Sequence, residues 1–420
     1  MGKLTSGEWL TRERVTIFAA ASGLGALVLL GGLLLTSRGT VDAFGRPIGT
    51  DFSVFWNAGR MALGGHAPDA WNPELFNSAA RHFHQHRVPD SAWLYPPVYL
   101  FVACALAALP YIGALVAWQA VSLALGWATL RLVLKDTRAT LVALACPLTA
   151  MVLGHGQNSF LTMVLLGVGL LLMDSKPLAA GALFGALIYK PQLALMLAPL
   201  LLLGRHWRVI AGAVLSAVAL AGASTMIWGV DSWQAFFGSL QFGRTYMEQG
   251  LVPFWKSAGL FAMARLWGAS VQLAYGVQAM GMVAALVLIW RTSHASSMVR
   301  NAGACAAIAL STPYLLDYDM VIVGLGAAFL YREAAANDAF LPGERNALAF
   351  IWFAPWFSRP AEQFLTLPFG PIATLLLACM ALRRSGSGHR HSAVDVDRLP
   401  GDVPGLAAGE VDGSRADILA

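Results

Sequence analysis

The chain has 420 residues, 57% of them hydrophobic and only 12% charged, against about 25% charged in ordinary soluble domains. With a mean hydropathy of +0.61 it reads as a polytopic membrane protein, which excludes a soluble globular enzyme. The net charge of +5 comes from basic residues scattered at the ends of apolar runs, as membrane topology requires, so no nucleic-acid surface is expected.

In chain order, Lys3, Arg12 and Arg14 precede a first apolar run over 17–36, read as a retained signal-anchor with a cytoplasmic N-terminus. A long outer loop, 37–97, carries Asp51 and two amphipathic helical segments, 52–63 and 72–86. The apolar stretch 98–109 is bracketed by Pro96, Pro97 and Pro110, which suits a juxtamembrane or re-entrant helix on the outer face. Further spans are expected at 111–134, 139–153, 158–173, 178–190, 192–204, 209–228, 271–290, 299–313, 319–331, 346–358 and 369–382. A second outer loop, 229–268, is dense in aromatics such as Trp233, Phe236, Phe237 and Trp255, as an interfacial belt or a ligand surface would be. The expected fold is thus an all-α polytopic bundle of about 12 transmembrane helices with outer-face juxtamembrane helices. Residues 1–384 form one transmembrane unit, and 385–420, rich in Gly, Asp, Ser and Pro, form a disordered cytoplasmic tail.

Lysine and arginine set the orientation. Arg131 with Lys135 and Arg138, Lys176, Arg205 with Arg208, Arg291 with Arg300, Arg332 with Arg345, and Arg383 with Arg384 fall on one side with the basic N-terminus. The opposite short turns hold only Lys190 and Arg359.

The ionisable residues that interrupt the apolar runs gather on that opposite face. Asp51 precedes a helix, where a carboxylate ordinarily caps; it is equally placed to act as a general base at the membrane boundary. Tyr95 opens Tyr95-Pro96-Pro97, an extended punctuation element within reach of a ligand. His155, Gln157 and Asn158 share one glycine-bearing hairpin, richer in donors and acceptors than a plain turn needs. Lys190, in Lys190-Pro191-Gln192, stands alone among apolar neighbours and suits a phosphate. Asp317 and Asp319 lie two residues apart in another outer turn, as capping, sugar contact or metal binding would place them. His82, His84 and His86 alternate without a recognised ligand spacing, and the cysteines (Cys104, Cys146, Cys305, Cys379) are dispersed, so no metal site is assigned.

These motifs resemble glycosyltransferase family 87, integral membrane enzymes of the GT-C superfamily related to polyprenol-phosphate-mannose-dependent mannosyltransferases. The resemblance rests on Asp51-Phe52 with Trp56 and Ala58, Tyr95-Pro96-Pro97, Gly156-Gln157-Asn158, Lys190-Pro191-Gln192 and the turn from Pro313 to Asp319. It implies a GT-C-like bundle with a polyprenyl-phosphate sugar donor and a glycan, glycolipid or protein acceptor. It further implies inverting hexosyl transfer, mannose first among the sugars, at the periplasmic side of the inner membrane. Asp51 would be the catalytic residue, Lys190 and His155 would contact the donor phosphate, and Tyr95, Gln157, Asn158, Gln192, Asp317 and Asp319 would line the substrate site. A divalent metal is conceivable on Asp317 and Asp319 but nothing in the pattern supports it. The competing readings are a lipid or sugar flippase, disfavoured by the lack of internal repeats, and a non-catalytic envelope scaffold. If this topology holds, cysteines placed at 51 and 190 are both modified by an impermeant reagent added from the outer side. Labelling of the two from opposite sides would break the common site.

Overall fold

A computed structural model describes residues 7–85, 88–336 and 339–396. Among the described residues it is all helical, with isolated bridges in place of strands. Helix α1 (Arg12–Leu35) is followed by α2 (Thr50–Leu63), α3 (Pro73–His84), α4 (Leu100–Ala107), α5 (Tyr111–Leu134), α6 (Thr137–Leu144), α7 (Pro147–His155) and α8 (Ser159–Leu172). Then come α9 (Pro177–Ala186), α10 (Pro191–Ala194), α11 (Leu197–Leu203), α12 (Trp207–Glu248), α13 (Leu260–Leu266), α14 (Val271–Thr292), α15 (Ser297–Ser311), α16 (Val321–Ala336), α17 (Glu344–Leu365) and α18 (Phe369–Val396). Local chemistry sets many starts. Thr11, Asn72, Asp136, Ser270 and Ser296 cap through their side-chain oxygens, and proline opens α3, α7, α9 and α10, where its missing N–H costs nothing.

Twelve full crossings are not seen. Four helices, α1, α5, α12 and α14, are long and apolar enough to cross a membrane, or five if α6 and α7, bent by 58° about Ala145 and Cys146, form one span. Most other expected spans are shorter helices, whereas those at 346–358 and 369–382 lie in the longer α17 and α18, of 22 and 28 residues. Helix α15 is buried almost throughout and α16 over most of its first ten residues, so protein rather than lipid surrounds them there and full bilayer length is not demanded of them. The expected outer loop at 229–268 is also corrected. Helix α12 breaks at Gly229 (φ 78°, ψ 165°) and resumes to Glu248, so the first half of that loop is helix. Glycine alone adopts that backbone without strain. Helix α17 likewise runs past the expected end of its span, through Pro355 and Pro360, to Leu365. The final helix reaches Val396, and the rest of the expected tail lies outside the described residues.

The basic turns lie away from Asp51. Helix α5 has 24 residues, and so is about 36 Å long. At its start the Tyr111 hydroxyl donates to the Ile48 carbonyl beside Asp51. Just past its end Arg138 donates to the Arg12 carbonyl and Thr16. Arg300 pairs with Asp174, and Arg384 with Glu344, tying other basic turns together.

The segment that carries Asp51 is anchored by close backbone packing. Gly59 of α2 faces α4 so tightly that a Cβ there would lie 2.1 Å from the Ala103 carbonyl oxygen and 2.8 Å from the Ala107 Cβ. Phe52, Phe55 and Trp56 on the same helix are buried, with edge-on ring contacts to Tyr95, Tyr99 and Tyr111. Because the obstacle at Gly59 is backbone, Gly59→Ala must push α2 off α4, at about 1–3 kcal/mol. The variant is expected to melt several degrees lower in detergent, whereas Gly65→Ala, in open space but at positive φ, should cost less. Equal melting of Gly59→Ala and wild type would refute the close contact.

Candidate active site

Asp51 is not used as a cap. The N-cap of α2 is Gly49, in the left-handed region (φ 68°), and no side chain caps the helix. Its carboxylate is therefore available, and Gln157 Nε2 donates to Oδ2 at 3.0 Å. Gln157 is itself oriented, because its Oε1 accepts from the Asn158 backbone N–H at 2.7 Å and the Tyr95 hydroxyl at 3.4 Å. Gly156 (φ 63°) makes this turn possible, since a Cβ there would lie 2.5 Å from the Phe52 Cβ. The glycine thus lets the α7–α8 turn approach the start of α2.

His155 is occupied on both ring nitrogens. Arg359 Nη2 lies 2.8 Å from Nε2 and Thr50 Oγ1 lies 2.7 Å from Nδ1. A guanidinium only donates, so Nε2 carries the lone pair and Nδ1–H donates to Thr50. The imidazole is neutral and orients Arg359. Arg359 in turn donates through Nε to Asp317 Oδ2 at 2.6 Å. Lys190 and Asp319 form a second pair at 2.8 Å, with only 5% of either side chain exposed. The Tyr318 ring lies between these pairs, 5.9 Å from the Lys190 ammonium and 6.0 Å from the His155 ring.

The structure thus brings Asp51, Tyr95, His155, Gln157, Lys190, Asp317 and Asp319 into one cluster. Asn158 is buried beside the Tyr95 and Tyr99 hydroxyls, yet neither of its amide atoms has a partner in hydrogen-bonding geometry. Gln192 is half-buried on the first turn of α10 and makes no hydrogen bond to the cluster. Of the alternating histidines, His84 is buried with Thr40 on Nδ1 and Ser53 on Nε2, which leaves neither nitrogen for a metal. His82 is exposed, and His86 lies outside the described residues. Asp317 and Asp319, the candidate metal ligands, are each occupied by a cationic side chain.

Residues that the motifs did not single out complete the site. Arg359 links Asp317 to His155, Thr50 fixes the His155 tautomer, and Lys256 lies within electrostatic reach of Asp51 and Asp317. The legible signal for Arg359 was its position as one of two cations in the short turns of the face opposite the basic clusters.

Of this cluster, Asp317 lines a cavity of about 820 Å³ between α1, α5 to α8, α16 and α17. Its head is polar, with Ser257, Asp317, Ser358 and Glu362; its middle is apolar, with Phe18, Leu130, Leu148, Phe160, Met163 and Ile351; and Arg12, Arg138 and Arg345 lie at the far end.

An all-helical bundle with several helices long and apolar enough to cross a bilayer defines an integral membrane protein. The chain belongs to glycosyltransferase family 87, whose model matches residues 93–316, and it is a membrane glycosyltransferase. No curated protein and no solved structure matches it.

Burial raises the pKa of Asp51 from 3.8 to about 6, against the hydrogen bond from Gln157 and the charges of Lys256, Lys190 and Arg359, which lower it. A raised carboxylate pKa means the folded state holds the proton more tightly than the unfolded chain. Stability from this residue is therefore lost as pH rises from about 4 to about 6, and stays lost above that. Asp51→Asn removes the loss. It is expected to gain on the order of 1–2 kcal/mol over wild type near pH 7.5, after allowance for screening. Thermal melts across pH should show that advantage shrinking below about pH 6 and closing by about pH 4. A pH-independent gap would show that Asp51 is not desolvated.

Proposed function

We propose that the enzyme transfers a hexose, mannose by family resemblance, from a polyprenyl phosphate to an acceptor hydroxyl, with inversion, at the periplasmic side. The acceptor is a glycan, glycolipid or protein. One observation carries the assignment of roles: of the three aspartates in the cluster, Asp317 and Asp319 are ion-paired and Asp51 is not. Asp51 alone among them keeps a basic oxygen for an incoming proton, and its raised pKa suits a general base near neutral pH.

In the transfer, the acceptor oxygen attacks the anomeric carbon as Asp51 takes its proton. The bond from that carbon to the phosphate oxygen breaks, and the electron pair leaves with the lipid phosphate. Gln157 holds the carboxylate in register. The neighbouring cations favour the departing phosphate, Lys190 through its field across the Asp319 pair and Arg359 from the scaffold that His155 and Asp317 provide. The apolar cavity supports a lipid-linked donor, because its polar head meets the cluster while its middle offers a hydrocarbon environment to a prenyl chain. Tyr95 and Asn158 stand beside Gln157, placed for sugar hydroxyls. Both termini would lie in the cytoplasm, in keeping with the basic turns. Family membership weighs against the flippase and scaffold readings.

The test is transfer by the purified protein from radiolabelled polyprenyl-phosphate mannose to membrane-extracted acceptors, run beside Asp51→Asn. Loss of the base is expected to slow turnover by about 10²–10⁴-fold while donor binding survives. Wild-type turnover in Asp51→Asn would remove that residue from catalysis.

A further inference from the structure

Lys256 and Ser257 carry polar groups that the described fold leaves unpaired. Lys190 and Arg359 each hold an aspartate at 2.8 and 2.6 Å. No carboxylate lies within ion-pair distance of Lys256 among the described residues; its ammonium stands over the Trp255 ring, 5.4 Å from the centroid. Burial, then Arg359 and Arg46, lower its proton affinity, while Asp317 and Asp51 draw it back up. This lysine therefore sits in a field with positive charge in excess, where an arriving anion is favoured.

The backbone puts it there. Residues 254–256 form a single turn, after which Ser257 pairs with Leu316 in an antiparallel bridge. The Ala258 N–H donates to the Leu315 carbonyl at 2.7 Å. The turn is thereby fastened to the segment that leads into Asp317. Ser257 and Ala258 line the head of the cavity. Ser257 is 4% exposed, and its hydroxyl oxygen has no hydrogen-bond partner. A buried hydroxyl left unpaired is costly, and the residue that carries this one lines the cavity wall, where a polar ligand atom drawn in close would satisfy it.

We propose that Lys256 and Ser257 together hold the phosphate of a prenyl-phosphate lipid whose chain lies in the cavity. This deepens the glycosyl-transfer reading and rests on it for the identity of the lipid. In the transfer step the phosphate begins as a singly charged diester. When the bond from the anomeric carbon to the phosphate oxygen breaks, it takes the bonding electron pair and becomes a doubly charged monoester. The acceptor proton meanwhile neutralises Asp51. Negative charge thus moves from Asp51 toward Lys256, and the lysine contact strengthens as the bond breaks, which is the condition for lowering the barrier.

Full-length protein in nanodiscs of neutral phosphatidylcholine tests this with three probes: undecaprenyl phosphate, uncharged undecaprenol and inorganic phosphate. Lys256→Gln should weaken undecaprenyl phosphate binding by about 10- to 100-fold and Ser257→Ala by about 3- to 10-fold. Lys256→Arg should recover most of the loss, and undecaprenol should bind all variants alike, which a merely structural role for the loop would not produce. Inorganic phosphate competing as well as the lipid would assign the site to free phosphate and overturn the prenyl assignment. Unchanged undecaprenyl phosphate affinity in both Lys256→Gln and Ser257→Ala would overturn the proposal, even if Asp51-dependent sugar transfer persists and the catalytic reading stands. Lys256-dependent binding in a protein that transfers no sugar from the prenyl-phosphate donor would instead support the phosphate site and sink the proposed transfer reaction.

Discussion

Pairing of charge in a low-dielectric bundle is the constraint on which the site depends. Asp317 and Asp319 are two residues apart, and each meets a cation from a distant helix or turn, Arg359 and Lys190 respectively. A buried pair of this kind adds little net stability, but removing one partner strands a charge at about 3–5 kcal/mol. The pairs therefore act as registry elements. They require the turn before α16, the far end of α17 and the break between α9 and α10 to meet at one place. Tyr318, between the two aspartates, packs against both Lys190 and His155 and fills the space where the pairs converge.

In the proposed transfer, once these charges are satisfied, the chemistry falls to a group that is not ion-paired. Asp51 is held by a neutral amide, which orients the carboxylate without neutralising it. A lysine or arginine in place of Gln157 would drive its pKa down and remove basicity at neutral pH. His155 is used in the opposite sense from a cationic phosphate ligand. With Thr50 on one nitrogen and Arg359 on the other, its value lies in fixing the guanidinium. Of the residues expected at the donor phosphate, Lys190 and His155 each also hold another charged group in place, Asp319 and Arg359 respectively.

Much of this was legible in the amino-acid sequence, for a specific reason. A polar residue in an apolar chain is expensive wherever it lies, so positive-inside bias, turn glycines and hydrophobic length together put Asp51, Tyr95, His155, Gln157, Lys190, Asp317 and Asp319 at one end. What stayed hidden depends on tertiary contact. The partner of Lys190 is 129 residues away and that of His155 is 204, separations that no local pattern encodes. Arg359 was placed in a turn after a span ending at 358, yet α17 continues through it and Pro360, as membrane-embedded helices can when neighbours satisfy the freed carbonyls. Lys256 was masked by the aromatics around it, which suggested an interfacial belt. The count of twelve crossings is not confirmed, because hydropathy reports burial and does not distinguish burial in lipid from burial in protein. Helices α15 and α16 are apolar for the second reason.

The glycines join these levels. Gly59 allows α2 to touch the α4 backbone, Gly49 turns the chain so that Asp51 enters the first helical turn uncapped, and Gly156 admits Phe52 beside the α7–α8 hairpin. Each is a point where a Cβ would separate elements that must nearly touch for Gln157 to reach Asp51. The hydrogen bond of 3.0 Å between them spans two elements 106 residues apart, so its length is set by backbone packing and not by side-chain freedom. A general base need only be basic, but one that acts on a hydroxyl delivered from outside the membrane must also be held still relative to a donor fixed by its lipid. In the proposed transfer that stillness comes from the apolar packing of α2, and the reactivity comes from the one aspartate that the ion-pair scaffold leaves unneutralised.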